Sequence, residues 1–389
     1  MSAIPLLEEQ RQQCPALANK AYLNYGGQGP LPQPALAAIY NAYEQVQRTG
    51  PFSQATNGWV TEQIRKTRTA IAAELSVNSD TIALTEDVTV GCNIALWGLD
   101  WQAGDRLLIT DCEHPGVIAA IDEIQRRYSI HIDTCPIKDT LNQGDPVAVI
   151  RSYLTPQTRL VVLSHLLWNT GQILPLTEIV QACRENSQNT KVLVDAAQSV
   201  GSMPLNLAET GVDFYAFTGH KWWCGPAGVG GLYVSPDALE QLSPTFIGWR
   251  GINLNATGEP IGWKTGGQRY EIATSAYPLY AGLQEAIAFH HQWGTPQQRF
   301  QRIQQLSSYL WKHLSQLPQV SCLRTSPPEA GLVSFQLTNG RSHKECVEYL
   351  EKNRIFVRTL RDPDCIRACV HYLTLESECD RLVEVIGSF

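Results

Sequence analysis

Between about residues 80 and 240, short apolar runs alternate with longer stretches of helical periodicity. The runs Arg106–Thr110, Leu160–Ser164, Lys191–Asp195, Phe214–Phe217 and Gly230–Val234 are too short for helices. They are also too continuously apolar for strands with one wet face. Val117–Tyr128 and Leu176–Asn186, which lie between them, read as helices. A strand with two apolar faces must be covered on both, and helices between successive strands supply the cover. The alternation therefore predicts an α/β fold with a mostly parallel sheet.

After Pro278 the pattern changes. Helical stretches over Leu279–Gln292 and Gln297–Leu317 precede strand-like Gly331–Gln336, helix-like His343–Asn353, strand-like Ile355–Arg358 and Cys365–Val370, and a final helix from Glu376. Ile303, Leu306, Leu310 and Leu314 recur at helical spacing. A chain of 389 residues with 43% hydrophobic content can fill more than one core. We expect a large domain over 31–277 and a small α+β domain over 278–389, with 1–30 a segment of the small domain at the active-site edge.

The charge balance narrows the partners. A net charge of −7, with both signs scattered and no basic run, gives no footprint for nucleic acid or an acidic membrane surface. No apolar run approaches the ~18 residues of a membrane span. The N-terminal stretch carries acidic residues where a signal peptide is basic and then apolar, so a cytoplasmic protein is expected. Eleven cysteines, none in a CxxC pair, read as buried thiols in a reducing compartment and imply no metal site.

Two segments carry chemistry. In Phe217-Thr218-Gly219-His220-Lys221-Trp222-Trp223-Cys224-Gly225-Pro226, a lysine sits among apolar and aromatic residues just after a strand. Lysines are usually solvated. Burial of this one would lower its pKa and free the amine for Schiff-base chemistry. In Val192-Leu193-Val194-Asp195-Ala196-Ala197-Gln198, an aspartate ends an apolar strand, where open α/β sheets bind ligands. Its plainer role would be to cap a helix.

Together, Asp195-Ala196-Ala197-Gln198 and Thr218-Gly219-His220-Lys221 resemble the class V aminotransferase family along nearly the whole chain. That family includes NifS-type cysteine desulfurases and related lyases, and shares the pyridoxal-phosphate fold type I: a large domain with a mostly parallel seven-stranded sheet, and a small α+β C-terminal domain. The resemblance implies pyridoxal 5'-phosphate as cofactor, with Lys221 bound to it and Asp195 paired with the ring nitrogen. Gln198 would face the phenolic oxygen, and His114 of Glu113-His114-Pro115 would stack on the ring. The phosphate would rest on the helix start at Asp87-Val88-Thr89 and on Thr218 and His220, with Val88 replacing a usual hydroxyl residue. Thr274, in Arg269-Tyr270-Glu271-Ile272-Ala273-Thr274, would reach a neighbouring subunit of a homodimer. Arg367 would bind the substrate α-carboxylate, with Arg358 as a second candidate and Trp249 and Asn169 nearby. Relatives place an asparagine where Trp168 stands, one position before Asn169.

Desulfurases also need a mobile cysteine. The loop 324–332 reads RTSPPEAGL, and 359–364 is short and ends at Cys365, which starts the strand of Arg367. Without a sulfur acceptor the expected chemistry is β-elimination on an amino acid, and within the family the pattern is most similar to the L-cysteine/cystine C–S lyases. That resemblance implies pyruvate, ammonia and cysteine persulfide (or sulfide) as products, and an iron–sulfur acceptor protein as recipient of the sulfur. A desulfurase or selenocysteine lyase using Cys365, and an epimerase of the same fold, stand as alternatives.

Overall fold

The computed structural model describes residues 3–389; Met1 and Ser2, part of the expected 1–30 segment, lie outside the described residues. Seven strands form the main sheet: β1 (Ile82–Thr85), β2 (Arg106–Thr110), β3 (His131–Cys135), β4 (Thr158–Ser164), β5 (Lys191–Asp195), β6 (Phe214–Thr218) and β7 (Gly230–Val234). Their order is β1-β7-β6-β5-β4-β2-β3, and β7 alone runs antiparallel to its neighbours. Every residue of β5, β6 and β7 is buried, as strands covered by helices on both faces must be.

The pleat sends alternate side chains to two cores. Val192 and Val194 join one with Leu163, Tyr215 and Leu283, and Leu193 joins the other with Val162, Phe214 and Leu232. Helices Gln33–Thr49, Gln54–Leu75 and Tyr277–Trp293 pack together beside the first. Two strands of this sheet are not evident from the sequence. β3 is an edge strand with polar residues facing out, and β1 has only four residues.

The C-terminal part holds a four-stranded antiparallel sheet of β8 (Val320–Cys322), β9 (Leu332–Leu337), β10 (Arg358–Arg361) and β11 (Asp364–Cys369), in the order β8-β9-β11-β10. Helices Pro296–Leu314 and Glu376–Ser388 contribute Leu306, Leu310, Leu382 and Ile386 to its core. Ala21–Tyr22 pairs in parallel with Ile355–Phe356, and Asn24 bridges to Cys369. The N-terminal segment is thereby drawn across to this sheet. No helix among the described residues is long and apolar enough to cross a membrane.

Candidate active site

Parallel strands deliver their last residues to one edge of the sheet. Ser164 ends β4, Asp195 ends β5 and Thr218 ends β6, with Ser164 and Asp195 in register. Above this edge is a cavity of about 200 Å³. Asp195, Gln198, Lys221, His114, His220, Val88 and Thr89 line it, together with Arg358 and Arg367 from the C-terminal sheet. A larger hollow of about 560 Å³ lies beside it, but its buried acid, Glu271, is already tied to Arg68 and Arg250, and no lysine faces it. The candidate lysine, aspartate and arginines meet in the smaller cavity.

Lys221 reaches solvent only partly, through the cavity it lines. Burial pulls its amine down to about 8; Asp195 opposes the shift, while Arg367 and Arg358 add to it. Asp195 is 6% exposed, and its Oδ1 accepts the Ala197 N–H at 2.9 Å, which fixes the carboxylate at the strand end. Burial also holds His114 and His220 below the usual histidine range. His114 Nδ1 accepts the Gly116 N–H at 3.2 Å, and its ring meets the edge of Trp168 at 5.8 Å. Thr218 does not itself line the cavity; its hydroxyl shares a 2.5 Å hydrogen bond with His220 Nδ1.

Arg367 is 1% exposed on β11. Its Nη1 donates to the Trp168 carbonyl at 2.7 Å, while Nε and Nη2 are buried without a partner. Two orphaned donors on one guanidinium are costly unless an acceptor fills the space between them, and a carboxylate does so as a bidentate pair. Arg358 lies opposite Arg367 in the ladder and is more exposed.

Gly26 closes the cavity from the N-terminal side. A Cβ there would lie 2.8 Å from Cys369 Sγ, 2.9 Å from Gln198 Oε1 and 3.1 Å from Arg367 Nη2. Only glycine lets the chain pass this closely. The sequence reading did not single out Gly26, although the run Gly26-Gly27-Gln28-Gly29 marked it. Glu113, next to His114 in Glu113-His114-Pro115, carries no sequence signal of its own. It is buried, and it accepts from the Thr110 hydroxyl at 2.5 Å, the Ser164 N–H at 3.0 Å and the Ser164 hydroxyl at 3.0 Å. Burial raises its carboxyl to about 8.

Two residues expected beside the substrate lie elsewhere. Asn169 is buried but does not line the cavity. Its Nδ2 donates to the Asp362 carbonyl at 3.2 Å and its Oδ1 accepts the Thr170 N–H, so Trp168 takes the place beside the site. Trp249 is 60% exposed and outside the cavity. Thr274, expected to act on a neighbouring subunit and not in its own chain's cavity, is exposed and borders the larger hollow.

The arrangement fits pyridoxal phosphate: a depressed lysine, a fixed carboxylate at a strand end, a helix start at Val88 for an anion and an unpaired guanidinium share one small cavity. Comparison with known proteins agrees. The family model for aminotransferase class-V matches residues 21–380. Isopenicillin N epimerase from Streptomyces clavuligerus is 27% identical over 380 residues, covering 94% of each chain. A probable cysteine desulfurase from Methanothermobacter thermautotrophicus is 25% identical over 399 residues, covering 97% of each. Among solved structures, the cystine C–S lyase C-DES in complex with its reaction product cysteine persulfide is 53% identical. It superposes with a TM-score of 0.95 over 97% of this chain and 100% of that one. A C-DES mutant with glycine covalently linked to the PLP cofactor gives a TM-score of 0.96, again at 53% identity, over 97% of this chain and 99% of that one. The chain is thus a pyridoxal-phosphate-dependent enzyme and belongs to the class-V aminotransferase family.

Proposed function

We propose that the protein is a C–S lyase that performs β-elimination on L-cystine, and on L-cysteine, in the cavity around Lys221. With cystine, the Cβ–S bond breaks, cysteine persulfide departs, and water taken up yields pyruvate and ammonia. Pyridoxal phosphate supplies the electron sink for charge that develops at Cα. Lys221, Asp195, Gln198, His114, His220 and the start of helix Val88–Gly98 would hold it.

The chain's own groups account for the rest. The Lys221 amine, depressed to about 8, is a base matched to the Cα proton near neutral pH. The two free Arg367 donors hold the α-carboxylate and so fix the direction of that proton. Arg358, at the cavity mouth, suits the distal carboxylate of a cystine-length substrate. His114 lines the same cavity, and its ring, once it has taken up a proton, can pass that proton to the departing sulfur, the more readily because burial lowers its pKa.

The observation that carries elimination over desulfuration is the placement of the thiols. No cysteine lines the cavity, and all eleven are buried except Cys322, which is half-buried. Cys365 is fully buried at the start of β11, where burial pushes its thiol up to about 12. A sulfur-attacking nucleophile must be a thiolate and must move; this one is neither ionised nor mobile. The 53% identity to a cystine C–S lyase supports the same reading. Incubation of purified holoenzyme with cystine should release pyruvate. Alanine, with a protein-bound persulfide, would mean desulfuration, and D-amino acid would mean epimerisation.

We further propose a homodimer in the cytoplasm that passes sulfur to an iron–sulfur acceptor protein. Phe246, Ile247, Trp249 and Ile272 expose apolar surface near Thr274, which suits burial against a second copy. Eleven unpaired cysteines suit a reducing compartment. Light scattering should give twice the chain mass, and a fully active monomer would exclude the dimer. Cluster formation on an apo-acceptor should require cystine, and formation at the same rate without the enzyme would exclude the sulfur-delivery role.

A further inference from the structure

We propose that Trp222 is a positioning residue whose indole N–H locks the Gln198 side-chain amide in the one orientation that turns a donor toward the cofactor cavity. The inference rests on the reading that Gln198 donates to the cofactor's ring oxygen. Indole Nε1 can only donate and a backbone carbonyl can only accept. Trp222 Nε1 donates to Gln198 Oε1 at 3.0 Å, and Gln198 Nε2 donates to the Gly26 carbonyl at 2.9 Å. Shape alone leaves an amide free to flip. Here a flip would set N–H against N–H and oxygen against oxygen, with both hydrogen bonds lost in a buried place. One Nε2 hydrogen is spent on Gly26 and the second remains, on a side chain that lines the cavity.

Trp222 can hold Gln198 because it is itself held. It is fully buried and stacks on Tyr25, with centroids 6.3 Å apart. Its carbonyl is met by His371 Nε2 at 3.2 Å, and the next carbonyl, of Trp223, by His290 Nε2 at 2.8 Å. A neutral imidazole has a single N–H to give. Burial keeps both rings neutral, with His290 down to about 3. Cys224 Sγ lies close to these two rings, in a grouping that resembles a metal triad. The carbonyls already take both Nε2–H groups, and His290 Nδ1 is bonded to the Tyr372 hydroxyl at 2.8 Å, so these imidazoles brace the turn that carries Lys221. On its other side, the Gly29 N–H donates to the His220 carbonyl at 2.8 Å and the Cys224 N–H to the Lys221 carbonyl at 3.0 Å. Every carbonyl from His220 to Trp223 is therefore occupied.

The test is the pH midpoint of the holoenzyme's visible absorbance band in wild type, Gln198→Ala, Trp222→Phe and the double variant. A donor on the ring oxygen weakens its hold on the proton shared with the lysine-bound nitrogen, so its loss should raise the midpoint. Gln198→Ala should raise it by about one pH unit, the size expected for one hydrogen bond to a charged group. Trp222→Phe should shift it in the same direction by less, and the double variant should match Gln198→Ala alone. If the Trp222→Phe shift persists in full without Gln198, or if folded Trp222→Phe leaves the midpoint unmoved, Trp222 does not act through the amide and the inference is wrong. If Gln198→Ala itself moves nothing, the reading of Gln198 fails and takes the inference with it. Should Trp222→Phe not fold, benzothienylalanine at position 222 keeps the indole shape without its N–H and gives the same readout.

Discussion

Arg367 offers the sharpest test of how this site binds substrate. It is fully enclosed, one nitrogen is held by the Trp168 carbonyl, and two are orphaned. If those two grip the α-carboxylate, Arg367→Ala removes a desolvated, charge-assisted pair worth about 2–5 kcal/mol. At 1.4 kcal/mol per tenfold, KM for cystine should rise roughly 30-fold to several thousand-fold. Arg367→Lys keeps the charge but loses the fork, and the missing contact, about 1.5–3 kcal/mol, should cost roughly 10- to 100-fold. The cofactor's absorbance band should survive in both, because Arg367 is assigned to the substrate. Arg367→Ala also leaves the Trp168 carbonyl without its donor, which should cost about 1–3 kcal/mol of stability in thermal unfolding. Pyruvate can be followed with a coupled lactate dehydrogenase assay. The assignment fails if Arg367→Ala keeps a near-wild-type KM while Arg358→Ala loses substrate.

Lys221→Ala should abolish the borohydride-reducible link to the cofactor; a mutant that keeps it would place the link elsewhere. In the apoenzyme, the rate of cofactor attachment should climb with pH as the Lys221 amine loses its proton and level off above about 8, whereas a rate still climbing at pH 10 would mean an ordinary lysine. Cys365→Ala should leave pyruvate formation within a few-fold of wild type, and an inactive variant would favour desulfuration. Glu113 binds its proton more tightly folded (about 8) than unfolded (4.5), so the stability it lends below pH 4.5 is lost as pH rises toward 8. Glu113→Gln imitates the protonated acid, so its melting temperature relative to wild type should improve between pH 5 and 8; a constant difference would show that Glu113 does not titrate there.

The fold was most legible where local pattern and final environment coincide. Lys191–Asp195, Gly230–Val234 and Leu176–Asn186 have the boundaries their composition suggested. Ile355–Arg358 read as one strand, but the structure splits it at Val357. Ile355–Phe356 pairs with Ala21–Tyr22, while Arg358–Arg361 pairs with β11. Pairing across more than 330 residues leaves no local trace, so that break was invisible. The site followed the same rule. Asp195 and Lys221 stand on or just after strands, and a strand's end fixes its side chains. Asn169 and Trp249 lie on loops. The path of the loop holding Asn169 is set by distant partners, the Trp168 indole on the Cys112 carbonyl and the Asn169 amide on Asp362.

The bond from Arg367 to the Trp168 carbonyl joins the C-terminal sheet to a loop of the seven-stranded one. If Arg367 holds the substrate's carboxylate, substrate affinity is mortgaged to a segment that need never touch that carboxylate. Lengthening or shortening the 165–174 loop would swing the guanidinium off its mark and would look, in a kinetic assay, like damage to the pocket itself. In a random mutational survey, small insertions in this loop should therefore cluster with losses at Arg367, and both should read as weakened binding with the colour of the enzyme unchanged.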